Sequence, residues 1–122
     1  DLELALQQIN PDQVEEIVIF GALEGRTDHA INNLILLCRF PGKLFLESEQ
    51  ERLFVINKNI QLATKPGQQI SLIPLNGPVQ GVSTHGLKWE LSEAILDKHF
   101  ISLSNEAIGS QTFISVKEGD LL

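Results

Sequence analysis

Apolar positions in the first forty residues recur at helical spacing or run unbroken, whereas beyond Lys43 they come in short, often alternating pieces. Leu2, Leu4, Leu6 and Ile9 share a broad helical face with Ala5, while Glu3, Gln7 and Gln8 point away. That spacing predicts an amphipathic helix over residues 1–9, closed by Asn10-Pro11-Asp12. The run Ile17-Val18-Ile19-Phe20 is unbroken, as in a strand covered on both faces within a parallel sheet. A second helix follows, capped by Asp28 or Thr27, carrying Ala30, Ile31, Leu34, Ile35 and Leu37, and stopped by Pro41-Gly42 after Phe40. Helix, strand, loop, helix is half of a doubly wound unit.

From Lys43 onward, "KLFLES", "ERLFVIN", "IQLAT", "QQISLIPL", "VQGVST" and "QTFISVKEG" are short segments separated by Gly, Pro and Asn. They predict an antiparallel sheet or sandwich, with two or three strands finishing the first domain. The boundary is set at Asn57, giving domains 1–57 and 58–122. One parallel strand and two helices cannot bury a sheet on both faces, so residues 1–57 read as the end of a larger α/β domain. The expected fold class is therefore a partial Rossmann-like parallel α/β domain followed by an antiparallel β-sandwich.

The 122 residues are 43% hydrophobic, enough for a folded core. No apolar run approaches the roughly 20 residues of a membrane-spanning helix, and the acidic start lacks the basic and apolar blocks of an export signal. Cys38 is the single cysteine, which allows no internal disulfide and suits a small buried residue in a reducing, cytoplasmic setting. Nine basic against sixteen acidic residues give a charge of -7, which opposes nucleic acid and anionic membranes as partners. Three scattered histidines and one cysteine exclude a zinc site by spacing. Magnesium stays open, because it needs only one or two carboxylates plus substrate phosphates.

The candidate chemistry gathers in two places. Residues 21–29 follow the strand Ile17–Phe20, where ligands of doubly wound sheets bind. Gly21 and Gly25 permit close backbone approach, and the next helix offers unpaired N–H groups to an anion. Arg26 supplies a forked donor to phosphate, Asp28 can hold magnesium or a hydroxyl, and His29 can fix either. The plainer alternative is a glycine turn, a capping Asp28 and a solvated Arg26. In the second half, Trp89 in "GLKWEL" fits an ordinary strand with Leu87, Trp89 and Leu91 facing inward, and "SLSNEA" fits a polar turn.

Four segments, "DLELAL", "GALEGRTDHAINNLILL", "GLKWEL" and "SNE", resemble in that order the end of the catalytic domain and the whole thiamine-binding domain of the thiamine pyrophosphokinase (thiamine diphosphokinase) family. The most specific piece is Gly25-Arg26-x-Asp28-His29 followed by Asn32 or Asn33. The resemblance implies a nucleotide-binding α/β domain, a β-sandwich, and a homodimer with active sites at the interface. The reaction it implies is transfer of a pyrophosphoryl group from ATP to the hydroxyl of thiamine, giving thiamine diphosphate and AMP with Mg2+ present. Arg26 and Asp28 are then the catalytic pair, with Gly21, Gly25, Arg26, His29 and Asn32 toward the nucleotide. Asp28 and Asp1, the latter similar to the last acid of the family's "DKDxTD" segment, go to the metal. Trp89 lies against the thiamine rings, and Ser104 and Asn105 hydrogen-bond the aminopyrimidine. Two departures stand out: Glu24 occupies the place of a second glycine, and the chain starts inside the acidic segment. A fragment without the upstream carboxylates is expected to be inactive alone. The alternative reading is a non-catalytic thiamine-binding or regulatory module, with a purely structural module third.

Overall fold

A computed structural model of the chain describes residues 2–122; the proposed metal ligand Asp1 lies outside the described residues. The chain is mostly sheet with few helices. It divides into two compact units, the first ending at Val55 and the second spanning Ile56–Leu122, against a boundary read at Asn57.

In the first unit, α1 (Leu2–Gln7) leads to a single 3-10 turn at Pro11–Gln13, where the Asn10 side chain accepts from the Asp12 N–H at 3.0 Å. Strand β1 (Ile17–Phe20), helix α2 (Thr27–Leu36) and strand β2 (Leu44–Glu47) follow, then the short β3 (Arg52–Leu53). Strands β1 and β2 pair in parallel, Ile17 opposite Leu44 and Phe20 opposite Glu47, while β3 runs antiparallel to β2. Parallel neighbours need a crossover connection, and α2 is that crossover. "KLFLES" is thus the parallel partner of β1, although its texture resembles the antiparallel strands after it. Its three inner residues Leu44, Phe45 and Leu46 are all buried, the unbroken pattern of a strand covered on both faces.

Helix α2 buries a different face from the expected one. Leu36 is buried, and a 3-10 turn over Leu37–Arg39 turns Leu37 inward beside it, while Ile31 and Ile35 stay exposed. At 100° per residue Ala30, Asn33, Leu34 and Leu37 share the inner face, and Ile31 and Ile35 project to its side. Together with Leu6, Ile17, Leu44, Leu46 and Val55, Leu36 and Leu37 form the core of the unit. Cys38 is half-buried.

The second unit contains β4 (Ile60–Ala63), β5 (Gln69–Leu72), β6 (Val79–His85), β7 (Ala94–Leu96), β8 (Ser102–Glu106) and β9 (Gln111–Ser115). Four strands form an antiparallel sheet in the order β4-β9-β6-β7, and β5 pairs with β8 in a second, two-stranded one. Val79, Val82, Leu87, Leu96, Ile114 and Leu121 supply most of its apolar core. Two threonines are buried in it without loss, because the Thr64 hydroxyl lies 3.1 Å from that of Thr112 and donates to the Gly109 carbonyl at 2.9 Å. The C-terminal residues return to the unit's own start: Leu121 exchanges both backbone bonds with Ile56.

The pairing of β5 with β8 is irregular in an informative way. Ile70 faces Asn105 and Leu72 faces Ser102, so Ser71 alone opposes the two residues Leu103 and Ser104. This is a β-bulge, with Ser104 held at φ 56°, a left-handed conformation that a serine adopts at a cost of order 1–3 kcal/mol.

Candidate functional site

The charged loop of the first unit leaves the carboxyl end of β1. Gly21 and Gly25 have φ of 76° and 85°, so the chain turns sharply at both ends of Ala22-Leu23-Glu24. The Asn33 amide donates to the Ala22 carbonyl at 2.7 Å and ties the loop to α2. Of the two asparagines in the motif, Asn33 therefore anchors the loop, and Asn32 is exposed beside it.

Arg26 and Asp28 meet at 2.6 Å, with side chains 75% and 61% exposed. The second Asp28 oxygen accepts from the His29 N–H at 2.9 Å. Neither Thr27 nor Asp28 caps the helix as expected. Arg26 occupies the cap position in extended conformation, with no side-chain capping bond. The reason is one of register: α2 starts at Thr27, so Asp28 already lies within the first turn and reaches only its neighbour's N–H. The helix N-terminus carries a partial positive charge, which Asp28 in the first turn offsets and Arg26 at the cap position reinforces. Asp28, His29, Asn32 and Asn33 line an open groove with Leu2 and Glu3. Two of these groups are carboxylates, so the groove suits a phosphate only together with a cation, and it stays open to solvent.

The same loop sets what metal could be held. Among the described residues no cluster of three His, Cys, Asp or Glu side chains converges as a metal site. The exposed Asp28 carboxylate is a hard oxygen donor of the kind magnesium takes, and alone it fits an ion whose other ligands are phosphate oxygens and water.

The tryptophan of the second unit does not face inward. Trp89 is 55% exposed, and "GLKWEL" forms a tight turn after β6, against the plainer reading of an ordinary strand. Conversely "SLSNE" forms strand β8, against the plainer reading of a polar turn. Gly86 begins the turn at φ 103°, and a methyl group built there would lie 2.6 Å from the Gln111 carbonyl oxygen of β9. Glu90, itself exposed, then closes the turn: one carboxylate oxygen accepts from the Leu87 N–H at 2.8 Å and the Thr84 hydroxyl at 3.0 Å, the other from the Gly86 N–H at 3.1 Å. The Thr84 hydroxyl in turn accepts from the Leu91 N–H at 2.8 Å.

Against this turn lies the end of β8. Leu87 bridges Ala107, and the Lys88 N–H donates to the Glu106 carbonyl at 2.8 Å. The next rung is made by a side chain: Asn105 accepts from the Trp89 N–H at 3.1 Å and donates to the Trp89 carbonyl at 2.7 Å. Asn105 is 2% exposed. Ser104 is exposed, and its N–H donates to the Ser71 hydroxyl at 3.0 Å. The Lys88 ammonium sits 4.7 Å from the indole centroid, within cation–π range.

Of the sequence candidates, then, Arg26 pairs with Asp28, and His29 and Asn32 share the groove that Asp28 lines; Trp89 joins Asn105. Sequence reasoning missed Glu90 and Thr84, whose work is visible only once the turn is closed. The one available signal was an acid three residues after a glycine-leucine pair, which is too common to single out.

Two family models match the chain in succession: "Thiamin pyrophosphokinase, catalytic domain" over residues 1–53 and "Thiamin pyrophosphokinase, vitamin B1 binding domain" over residues 55–121. Thiamin pyrophosphokinase 1 of Caenorhabditis elegans is 33% identical over 113 residues, covering 84% of this chain and 45% of that protein. Thiamine pyrophosphokinase 1 of Oryza sativa subsp. japonica is 27% identical over 124 residues, covering 93% of this chain and 47% of its own length. Among solved structures, thiamine pyrophosphokinase from Bacillus subtilis superposes with a TM-score of 0.89 at 27% identity, over 99% of this chain and 60% of that one. The chain spans about half the length of the curated relatives it matches.

Proposed function

The chain belongs to the thiamine pyrophosphokinase family, and from that premise we propose that it is part of an enzyme converting thiamine and ATP to thiamine diphosphate and AMP. On this reading the first unit completes a Rossmann-like catalytic domain and the second is a thiamine-binding β-sandwich. The observation that carries it is the exposed indole of Trp89 on a backbone fixed by buried groups, in the segment that matches a vitamin B1 binding domain. A flat, electron-rich ring held rigidly at a surface is suited to a cationic aromatic ligand.

The oxygen of the thiamine hydroxyl attacks the β-phosphorus of ATP. The bond from that phosphorus to the oxygen bridging it to the α-phosphorus breaks, AMP leaves, and the hydroxyl proton is released. Arg26 would bind the phosphate oxygens, and the glycine turns at Gly21 and Gly25 would let the backbone approach them. Asp28 would help hold magnesium together with Asp1, while His29 and Asn32 line the phosphate groove. Magnesium, when bound, neutralises charge developing on the transferred group. The Arg26–Asp28 pair is broken when each finds its own partner, so the exposed ion pair keeps both groups oriented at little energetic cost. Trp89 would stack on thiamine, and Ser104 would hydrogen-bond its aminopyrimidine.

The reading includes a homodimer with active sites at the interface and a cytoplasmic location. No helix among the described residues is long and apolar enough to cross a membrane. The test is AMP release from ATP by the full-length protein with and without thiamine. Thiamine-dependent release that collapses in Asp28→Asn and Arg26→Ala supports the proposal. ATP turnover indifferent to thiamine would sink it, and thiamine binding with no AMP in any condition would favour the non-catalytic module.

A further inference from the structure

We propose that Asn105 is a positioning residue: it sets the indole of Trp89 for stacking and does not itself contact the substrate. The inference rests on the thiamine reading for its ligand, but on geometry for its mechanism. A side-chain amide has two acceptor sites and two donor hydrogens. Both acceptor sites of Asn105 are taken, one by the Trp89 N–H at 3.1 Å and one by the Glu106 N–H at 2.9 Å. One donor hydrogen goes to the Trp89 carbonyl at 2.7 Å. The side chain is buried, so little of it is offered to a ligand that stays at the surface.

The arrangement replaces a rung of sheet. Asn105 is paired through its place in β8 with Ile70 of β5 and turns its amide to the opposite side, where it meets both backbone groups of Trp89 as a strand residue would. The Lys88 N–H to Glu106 carbonyl bond and the Leu87–Ala107 bridge continue this line of contacts. The bulge at Leu103–Ser104 is what makes it possible. One extra residue in β8 changes which side chain points in, so that Asn105 is buried while its neighbour Ser104 is exposed. Two adjacent residues of the "SNE" segment thereby divide the labour, Ser104 toward solvent and Asn105 toward the tryptophan backbone.

Trp89 is the single tryptophan, so its near-ultraviolet circular dichroism reports on this one ring in the 122-residue chain without any ligand. Asn105→Ala is expected to abolish that band while the far-ultraviolet spectrum persists, and Ser104→Ala to preserve it. Asn105→Asp keeps the size and the acceptor but not the donor toward the Trp89 carbonyl; it should weaken the band and carries the test if the alanine variant does not fold. In the full-length protein, Asn105→Ala should raise the KM for thiamine about tenfold and leave kcat within about twofold, the mark of a displaced binding surface. A band unchanged in both Asn105 variants overturns the proposal, and if KM nevertheless rises, Asn105 touches thiamine directly. A lost band with an unchanged thiamine KM overturns the link to the substrate. Wild-type protein that shows no thiamine-dependent turnover overturns the functional reading instead, and the band then decides the positioning by itself.

Discussion

The loop at Arg26–Asp28 and the turn at Trp89 present their functional groups in opposite ways. In the first, the candidate side chains are solvated, held by each other at 2.6 Å and by a single backbone contact, and the helix behind them lacks a side-chain cap. In the second, the exposed ring stands on a backbone whose N–H and C=O groups are bonded to a buried amide, and whose turn is closed by Glu90 and Thr84. The contrast follows the chemistry of the ligands proposed for each. A phosphate chain with its metal brings its own charge and can draw the solvated Arg26 away from Asp28 on arrival. A flat organic cation offers few hydrogen bonds, so affinity depends on a surface that is already in place.

The contrast can be broken most severely at Gly86. With φ of 103° and the Gln111 carbonyl 2.6 Å from where a Cβ would stand, Gly86→Ala should destabilise the second unit by about 2–4 kcal/mol. Thermal unfolding followed at Trp89 would measure it. Next comes Glu90→Ala, which leaves the Gly86 and Leu87 N–H groups without their acceptor and should cost about 1–3 kcal/mol. Acrylamide should then quench Trp89 more readily than in wild type, because the turn loosens around it.

Ser104→Gly sharpens the comparison by separating stability from binding. Removing the side chain from a left-handed position should leave stability unchanged or raise it by up to about 1 kcal/mol. Thiamine affinity should nonetheless fall, as it should in Ser104→Ala, because the exposed hydroxyl is lost. The smallest stability effect belongs to the loop: Arg26→Ala and Asp28→Asn should each change unfolding free energy by no more than about 0.5 kcal/mol, since a solvated ion pair contributes little. A larger change in either would mean that the loop is part of the scaffold.

How much of this was legible in the sequence differs between the two regions for the same reason. Strand β1 and the loop after it are local: an unbroken Ile-Val-Ile-Phe run and a glycine-bracketed charged segment declare themselves within a dozen residues. The second unit depends on contacts far apart in the chain. "GLKWEL" alternates like a strand, yet Gly86 and the Glu90 carboxylate fold it into a turn. "SLSNE" is polar like a turn, yet it forms β8 because the bulge turns Ser104 out and Asn105 in toward a tryptophan backbone sixteen residues away. Periodicity cannot register a bulge, since one inserted residue inverts the alternation that it relies on. The parallel pairing of β2 was hidden similarly, because only the crossover through α2 distinguishes it from the antiparallel strands that follow.

The division of labour between the two regions is tested most directly by steady-state AMP release in the full-length protein, with thiamine and ATP varied separately for Arg26→Ala and Trp89→Ala. The account predicts that Trp89→Ala raises the KM for thiamine and leaves that for ATP unchanged, while Arg26→Ala lowers kcat or raises the KM for ATP with thiamine binding intact. Both variants acting on the same substrate, or neither altering a thiamine-dependent rate, would contradict it.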